Sequence, residues 1–175
     1  MSQTTIRPAS SPEDLSAVRQ LCWDYRAFLL GVSEIDAQIT ETFYPVPIYT
    51  GLMDRLTDIH ARPQGIILLA ERDGAPVGCA MSHALDPATS EIKRLYVGPQ
   101  ARGHGIAREL VNALTDQATA DGFDRVVLDT SVSLTAARAL YSRLGFVARG
   151  PYQDVPASAL PHLLFFEKPL TSPPT

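Results

Sequence analysis

The stretch EIKRLYVGPQARGHGIARELVNAL (residues 91–114) joins three different local patterns without a break. EIKRLYV is rich in residues that favour strands, and it is followed by a loop that contains Gly103 and Gly105. From Ala107 to Ala118 apolar residues recur at three- and four-residue spacing, which predicts a helix that ends near Gly122. This part of the chain is therefore predicted to be a strand, a glycine loop and a helix.

The glycine loop is predicted to bind an anion. Its two glycines permit backbone conformations that other residues avoid, and they let a ligand approach the main chain. Unbonded N–H groups and the helix dipole favour negative charge at a helix start. Arg102, His104 and Arg108 add side-chain charge there. A phosphate is the expected ligand, although glycine also occurs in such turns simply because it packs tightly.

The spacing of the loop narrows the kind of phosphate ligand. It matches neither the six-residue dinucleotide fingerprint nor GxxxxGK[ST], which disfavours NAD and ATP. Residues 100–105, QARGHG, resemble the acetyl-CoA signature [QR]-x-x-G-x-[GA] of the GNAT superfamily of acyl-CoA-dependent N-acetyltransferases. Residues 91–114 are similar to that superfamily's central strand, loop and helix, and ARALYSRLGF (residues 137–146) is similar to its later helix. The resemblance covers about residues 4–170.

The remaining patterns fit a mixed, mostly antiparallel sheet flanked by helices, an α/β (α+β) GNAT-like fold. TIRP predicts a first strand, and Ser11, Pro12 and Asp14 begin a helix that runs to about Phe28. Weaker helical signals lie near residues 36–43 and 50–60, separated by YPVP. Asp73-Gly74 predicts a hairpin turn. The later part of the chain predicts a strand at DRVVLDTS, a helix over residues 135–144, a short strand at FVA and a last strand at HLLFFEKPL.

Composition sets the broad class of the protein. The 175 residues, 45% of them hydrophobic, suit a single domain over residues 1–175, ordered over about 4–170 with a disordered tail at 171–175. A net charge of −4 argues against nucleic-acid binding. Cys22 and Cys79 lie in apolar runs, which predicts buried thiols and no metal site. With no apolar leader or membrane span in the sequence, the expected location is the cytoplasm.

The resemblance implies where acetyl-CoA would bind as co-substrate. Its pyrophosphate would rest on main-chain N–H groups of residues 102–107, and its pantetheine arm would lie along the preceding strand as an added strand. The residues implied are Leu95, Tyr96, Val97, Gln100, Arg102, Gly103, His104, Gly105, Ile106 and Ala107. Relatives often have an asparagine seven residues before the helix tyrosine. Here that place is Leu134, and the hydroxyl of Ser133 or Thr135 is expected to substitute.

Acetyl transfer to an amine needs a proton acceptor and a proton donor. Tyr141 matches the tyrosine that many relatives place near the coenzyme sulfur, so it is the predicted acid; as an ordinary core tyrosine it would have no such role. Glu91 matches a glutamate base of some relatives, unless it is merely solvated. Strand alternation puts Lys93 on the same face as Glu91, where it could instead contact the substrate. The reserve candidates are His83, Asp129 and His162.

The predicted function is acetyl transfer from acetyl-CoA to a primary amine of a small molecule, directly in a ternary complex. The alternatives are acetylation of a protein N-terminus or lysine, and a non-catalytic acyl-CoA sensor. Acceptor choice is expected to depend on residues 31–63 and on GPYQDVPASALPH (residues 150–162), where Arg149, next to that segment, could pair with a substrate carboxylate. Such proteins often form homodimers, but no stretch identifies an interface.

Overall fold

The computed structural model describes residues 1–171 and contains one seven-stranded sheet in the order β1-β2-β3-β4-β5-β7-β6. The strands are β1 (Thr4–Pro8), β2 (Ile66–Arg72), β3 (Ala75–Asp86), β4 (Thr89–Val97), β5 (Arg125–Ser131), β6 (Val147–Arg149) and β7 (Leu163–Pro169). Every neighbouring pair is antiparallel except β4 and β5, which are parallel. The predicted fold class is confirmed. Apart from Thr171, the predicted tail lies outside the described residues.

Six helices flank the sheet: α1 (Pro12–Leu30), α2 (Glu34–Phe43), α3 (Val46–Asp54), α4 (Leu56–Ile59), α5 (Ile106–Ala120) and α6 (Thr135–Arg143). The helix predicted near residues 50–60 is confirmed in part: α3 and α4 cover most of that range, but α3 begins at Val46, within the predicted break YPVP. Pro47 lies in the first turn of α3, where its missing N–H costs no hydrogen bond, so YPVP starts a helix. Among residues 1–171 no helix has both the length and the apolar character needed to cross a membrane.

The sheet is buried on both faces. Alternate residues of β2 point to opposite sides, so that Leu68 and Ala70 join a core with α5, and Ile67 and Leu69 join a core with α1 and α3. Asp73 and Gly74, at the tip of the β2–β3 hairpin, have φ values of 51° and 80°, as the predicted tight turn requires. Both faces of the central strands are therefore packed against helices.

A network of charged side chains joins the start of α1 to the sheet. Asp14 accepts a backbone N–H from Ser11 while the Ser11 side chain accepts from the Asp14 N–H, which is a capping box. Arg7 on β1 donates to both oxygens of Asp14, at 2.7 and 2.8 Å, and also to Glu71 on β2. The hydrogen bonds from Arg7 hold the pKa of Asp14 well below its usual value. The predicted start of α1 is confirmed, and it is anchored to two strands.

The two parallel strands separate soon after they pair. The β4–β5 register covers only Thr89–Glu91 against Arg125–Val127. On the other side of β4, a register shift between Cys79 and Met81 marks a bulge, and Arg94 there has a φ of 53°. A bulge bends and twists its strand, so β4 turns away from β5 and a gap opens in the sheet.

Candidate active site

The gap between β4 and β5 forms a cleft of about 610 Å³, called here the β4–β5 cleft. Its walls come mainly from α1, β4, β5 and α6. The lining residues include Leu95, Tyr96, Val97, Asp129, Ser133, Thr135 and Tyr141. From Ile92 onward β4 pairs with β3 alone, so the backbone groups on its other edge face the cleft. An exposed strand edge of this kind can bind an extended ligand through main-chain hydrogen bonds.

The glycine loop lies at the end of β4 and leads into α5. Gly103 and Gly105 have φ values of 81° and 77°, the conformation that the sequence predicted only glycine would adopt easily. Gly105 precedes α5 without a side-chain cap, and the first bond of the helix runs from Glu109 N to Gly105 O. The N–H groups of residues 106–108 therefore have no acceptor within residues 1–171, which suits an anion.

Arg102 lies at the mouth of the cleft. Its Nε donates to the backbone oxygen of Val97 at 3.0 Å, and its guanidinium lies over the rings of Phe28, at 5.0 Å, and Tyr96, at 5.9 Å. Arg102 therefore places a positive charge beside the uncapped helix start and also covers one carbonyl of the β4 edge.

Tyr141 faces the cleft from α6. It is 5% exposed and packs against Phe146 and Phe166, with ring centroids 5.8 and 5.9 Å away. It also lines the cleft opposite Leu95. Burial, with the nearby Asp129 charge, raises the pKa of Tyr141, so the phenol stays protonated at neutral pH. Tyr141 is thus both a core residue and a residue of the cleft wall, so its place in the core does not remove it as the predicted acid.

A second, smaller cavity of about 130 Å³ adjoins the cleft and is called here the α1–α2 pocket. It is lined by residues of α1, α2, β4 and β5, with Tyr44 and Tyr49 from the segment between α2 and α4. Asp129 lines both cavities, and its carboxylate accepts a 3.3 Å hydrogen bond from Gln153. Burial raises the pKa of Asp129, and the charge of Lys93 only partly offsets this effect. The structure thus places a carboxylate that accepts protons readily where the two cavities meet.

Glu91 lies in a different setting. It is 1% exposed and belongs to neither cavity wall. Its carboxylate accepts hydrogen bonds from His83 at 2.7 Å and from the Tyr152 hydroxyl at 2.5 Å, and Lys93 lies 3.4 Å away on the same face of β4. Burial opposes ionisation, but the His83 hydrogen bond and the Lys93 charge outweigh it and lower the pKa of Glu91. Glu91 is the centre of a buried network, and its role as a base stays a prediction.

Comparison with known proteins identifies the architecture. Residues 36–146 match the Acetyltransferase (GNAT) family. A protein named IAA acetyltransferase from Azospirillum brasilense is 37% identical over 126 residues, which are 70% of this chain and 81% of that protein. The chain belongs to the GNAT family. It is therefore a transferase enzyme of the acetyltransferase class, as its sequence predicted.

Solved GNAT-like structures agree with this fold. An acetyltransferase from Streptococcus agalactiae has a TM-score of 0.73 at 17% identity, covering 95% of this chain and 98% of that one. YncA from Salmonella typhimurium, determined with its cofactor acetyl-CoA, has a TM-score of 0.69 at 20% identity, covering 99% of this chain and 97% of that one.

Several residues predicted from the GNAT signature line the cleft, and others lie beside it. Leu95, Tyr96, Val97, Arg102, Ala107 and Tyr141 line it, and so do Ser133 and Thr135 on either side of Leu134. Gln100, Gly103, His104, Gly105 and Ile106 are not on its wall. Ile106 is 1% exposed and belongs to the core beneath α5. The reserve candidates His83 and His162 line neither cavity, and Arg149 pairs with Glu167 at 2.7 Å.

The sequence had indicated Lys93 and Asp129, but it did not single out the two arginines of the α1–α2 pocket, Arg26 and Arg94. Arg26 follows Cys22 by four residues and so lies on the buried face of α1, where it is 6% exposed. A charged residue within an apolar helical stripe was a usable signal, because such a residue is seldom buried without a partner. Arg94 gave no such signal, since its orientation depends on a bulge that the sequence does not mark.

Proposed function

We propose that this GNAT enzyme transfers the acetyl group of acetyl-CoA to the primary amine of a small molecule, directly within a ternary complex. The unpaired edge of β4 beyond Glu91 carries the proposal, because it leads from the uncapped start of α5 to the point where Tyr141 and Asp129 face the cleft. One continuous surface thus offers anion binding, strand-like binding and two groups for proton transfer.

The residues present suit acetyl-CoA. The N–H groups of residues 106–108 and the positive end of the α5 dipole would hold the pyrophosphate, while Arg102 adds charge. The backbone of Leu95 and Val97 would bind the pantetheine arm in the manner of strand pairing. A backbone N–H near Val97 would polarise the thioester oxygen. The cofactor of YncA supports acetyl-CoA as the donor.

Proton transfer would involve Asp129 and Tyr141. Asp129 accepts a proton from the incoming ammonium, which frees the nitrogen lone pair for attack on the thioester carbon. The new C–N bond forms and the C–S bond breaks. Tyr141 donates its phenolic proton to the departing sulfur, and the second amine proton leaves to solvent, from which Tyr141 is reprotonated. Asp129 releases its proton to solvent after the product leaves, which restores the carboxylate. We place the base at Asp129 and not at Glu91, because both oxygens of Glu91 are already hydrogen-bonded away from the cavities.

Thiol release from acetyl-CoA, measured with a panel of small primary amines and short peptides, tests this function. At least one small amine should accelerate release, and Tyr141→Phe should lower kcat about 100-fold while coenzyme affinity by calorimetry changes little. Tyr152→Phe is the matched control, since it removes a half-buried hydroxyl outside both cavities. Coenzyme binding without release would contradict the proposal, and a preference for peptides would favour a protein substrate. A cytoplasmic location and a homodimer stay predictions.

A further inference from the structure

The α1–α2 pocket contains a buried arginine that the protein does not fully satisfy. The side chain of Arg26 is 7% exposed, and its Nε donates to the backbone oxygen of Tyr44 at 2.9 Å. Its Nη2 lies 3.1 Å from Glu41, whose side chain is 56% exposed, but without hydrogen-bond alignment. Within residues 1–171 this Nη2 has no hydrogen-bond acceptor. A buried guanidinium donor without an acceptor is costly, so the pocket favours a ligand that supplies one.

A second guanidinium lines the same pocket from the β4 bulge. Arg94 lies 3.4 Å from His60 Nε2 and 3.8 Å from the Met81 sulfur, and its charge lies 5.8 Å from the Tyr49 ring centre. None of these neighbours is an anion, and no carboxylate in the described part of the chain forms an ion pair with Arg94. The ring of His60 is fixed by a bond from Nδ1 to Ser82 O, so Nε2 accepts from Arg94 and orients it.

The charges around the pocket are unbalanced. Three cationic side chains line it, from Arg26, Lys93 and Arg94, against two carboxylates, Asp36 and Asp129. Asp36 is bonded to the Ser33 hydroxyl at 2.5 Å, and Lys93 is paired with Glu91. Arg26 has the exposed Glu41 nearby but keeps an Nη2 without an acceptor, and Arg94 has no carboxylate partner in the described chain, so these two guanidinium groups are available to a ligand. A guanidinium binds a carboxylate well through its planar fork.

The rest of the pocket indicates what accompanies that carboxylate. At about 130 Å³ the pocket accepts only a small group. Its uncharged walls are mostly aromatic or aliphatic: Tyr25, Leu29, Ile39, Tyr44, Tyr49 and Ile92. Asp129, at its junction with the cleft, would face the acceptor nitrogen. The pocket therefore combines a cationic end, an apolar wall and a proton acceptor.

We propose that the acceptor is a small amino acid with an apolar side chain, bound through its free carboxylate by Arg26 and Arg94 with its amine directed toward Asp129. This inference rests on the proposed function for the identity of the reacting group, but carboxylate binding itself does not require turnover. On this proposal, Arg26 and Arg94 make the enzyme prefer free amino acids to amides, simple amines and peptide N-termini.

The first test compares acids with their amides in the unmodified enzyme. L-leucine, L-methionine and L-phenylalanine are each paired with the corresponding amide, and kcat/KM is measured by thiol release. At least one acid should exceed its amide by 10- to 100-fold. The amine of an amide is less basic and more readily deprotonated, so intrinsic reactivity favours the amide and cannot produce this preference. Equal or better use of all three amides would overturn the inference, as would preference for peptides.

The second test removes each guanidinium. Arg26→Met and Arg94→Gln should each abolish most of the acid-over-amide preference. Acetyl-CoA affinity should stay unchanged in Arg26→Met, because Arg26 lines the pocket and not the cleft, whereas Arg94 lines both. Arg149→Gln is the matched control, because Arg149 lies outside the pocket and pairs with Glu167. Arg26→Lys should restore the preference only in part, since one ammonium does not reproduce the planar fork. A preference that persists in both variants would exclude these arginines.

Binding measurements separate this inference from the proposed function. N-acetyl-L-leucine and its amide are titrated by calorimetry into wild-type protein and into Arg94→Gln, without any turnover. Tighter binding of the acid, lost in the variant, supports the carboxylate site even if no amine releases thiol, in which case the proposed function alone fails. Thiol release without any discrimination between acid and amide keeps the proposed function and overturns the carboxylate site.

Discussion

The β4–β5 cleft and the α1–α2 pocket adjoin one another but are built differently. The cleft offers mainly backbone groups, from the β4 edge and the uncapped start of α5. The pocket offers side chains brought together from three helices and three strands. Main-chain recognition depends on local conformation, whereas side-chain recognition depends on which distant residues meet. The first can be inferred from a contiguous motif, and the second requires the folded structure.

Asp129 lines both cavities, so its replacement should have the largest effect. Asp129→Asn keeps the shape and removes the proton acceptor, and kcat should fall about 1,000-fold. Because burial raises the pKa of Asp129, activity of the wild type should decline on acidification at a pH above the usual carboxylate range. The pH profile of kcat/KM checks this, and Asp129→Asn should lose that decline.

Glu91→Gln is the matched control for Asp129. Its amide occupies the same space within the His83 and Tyr152 network, so kcat should change far less than in Asp129→Asn. If Glu91→Gln were the more damaging of the two, the base would be Glu91, as the sequence predicted, and the proton would leave the amine through the buried network.

The third prediction concerns His60, which orients Arg94 in the pocket, and the pH dependence of the free energy of unfolding. Burial lowers the pKa of His60 to about 4, from an unfolded value near 6.5. As the pH falls, the unfolded chain therefore binds a proton on His60 before the folded protein does. The contribution of neutral His60 to the free energy of unfolding is complete above about pH 6.5 and is lost as the pH falls toward 4. The loss in unfolding free energy is about 3 kcal/mol. His60→Gln, which keeps a donor for Ser82 and an acceptor for Arg94, should unfold with a flatter pH dependence in denaturant titrations. An unchanged slope would show that His60 does not titrate in this way.

The smallest expected effect concerns the cleft. Gly105→Ala introduces a side chain at a φ of 77° beside the N–H groups of α5, and KM for acetyl-CoA should rise about tenfold. Gly122→Ala is closely matched, since Gly122 has a φ of 89°, equally open surroundings, and follows the other end of the same helix. Both variants should lose similar stability, and only Gly105→Ala should weaken coenzyme use. Equal KM values would place the pyrophosphate elsewhere.

Much of the fold could be predicted because its signals are local. Ser11 and Asp14 form the capping box that their spacing indicates, and Asp73-Gly74 forms the expected turn. The two glycines of the GNAT signature, Gly103 and Gly105, likewise have the positive φ values that the sequence led us to expect. The region after α1 was harder, because Pro47 can end a helix or begin one, and only the surrounding packing decides which.

The position of the backbone part of the candidate site was predictable. Leu95 and Val97 line the cleft, since any strand at that place presents the same groups, and their role in coenzyme binding stays a prediction. Asp129 was only a reserve candidate, because neither its burial nor its position between two cavities is visible in DRVVLDTS. Arg26 and Arg94 are 68 positions apart, and the bulge that turns Arg94 inward has no sequence mark.

The charged anchor at the start of α1 has a mechanical consequence for the pocket. Arg26 lies twelve residues beyond Asp14, which is about 18 Å along the helix axis. Helix α1 is held at its first turn through Arg7, which bonds both Asp14 and Glu71. Between Asp14 and Arg26 it is held again by the Tyr49 hydroxyl, which donates to Cys22 O at 2.6 Å. A rotation of α1 by about 5° about its first turn would move Arg26 by about 1.5 Å. A displacement of about 1 Å is already enough to slow a reaction that depends on substrate positioning. The ion pairs of Arg7 on β1 therefore help to determine the position of Arg26, about 18 Å away along α1.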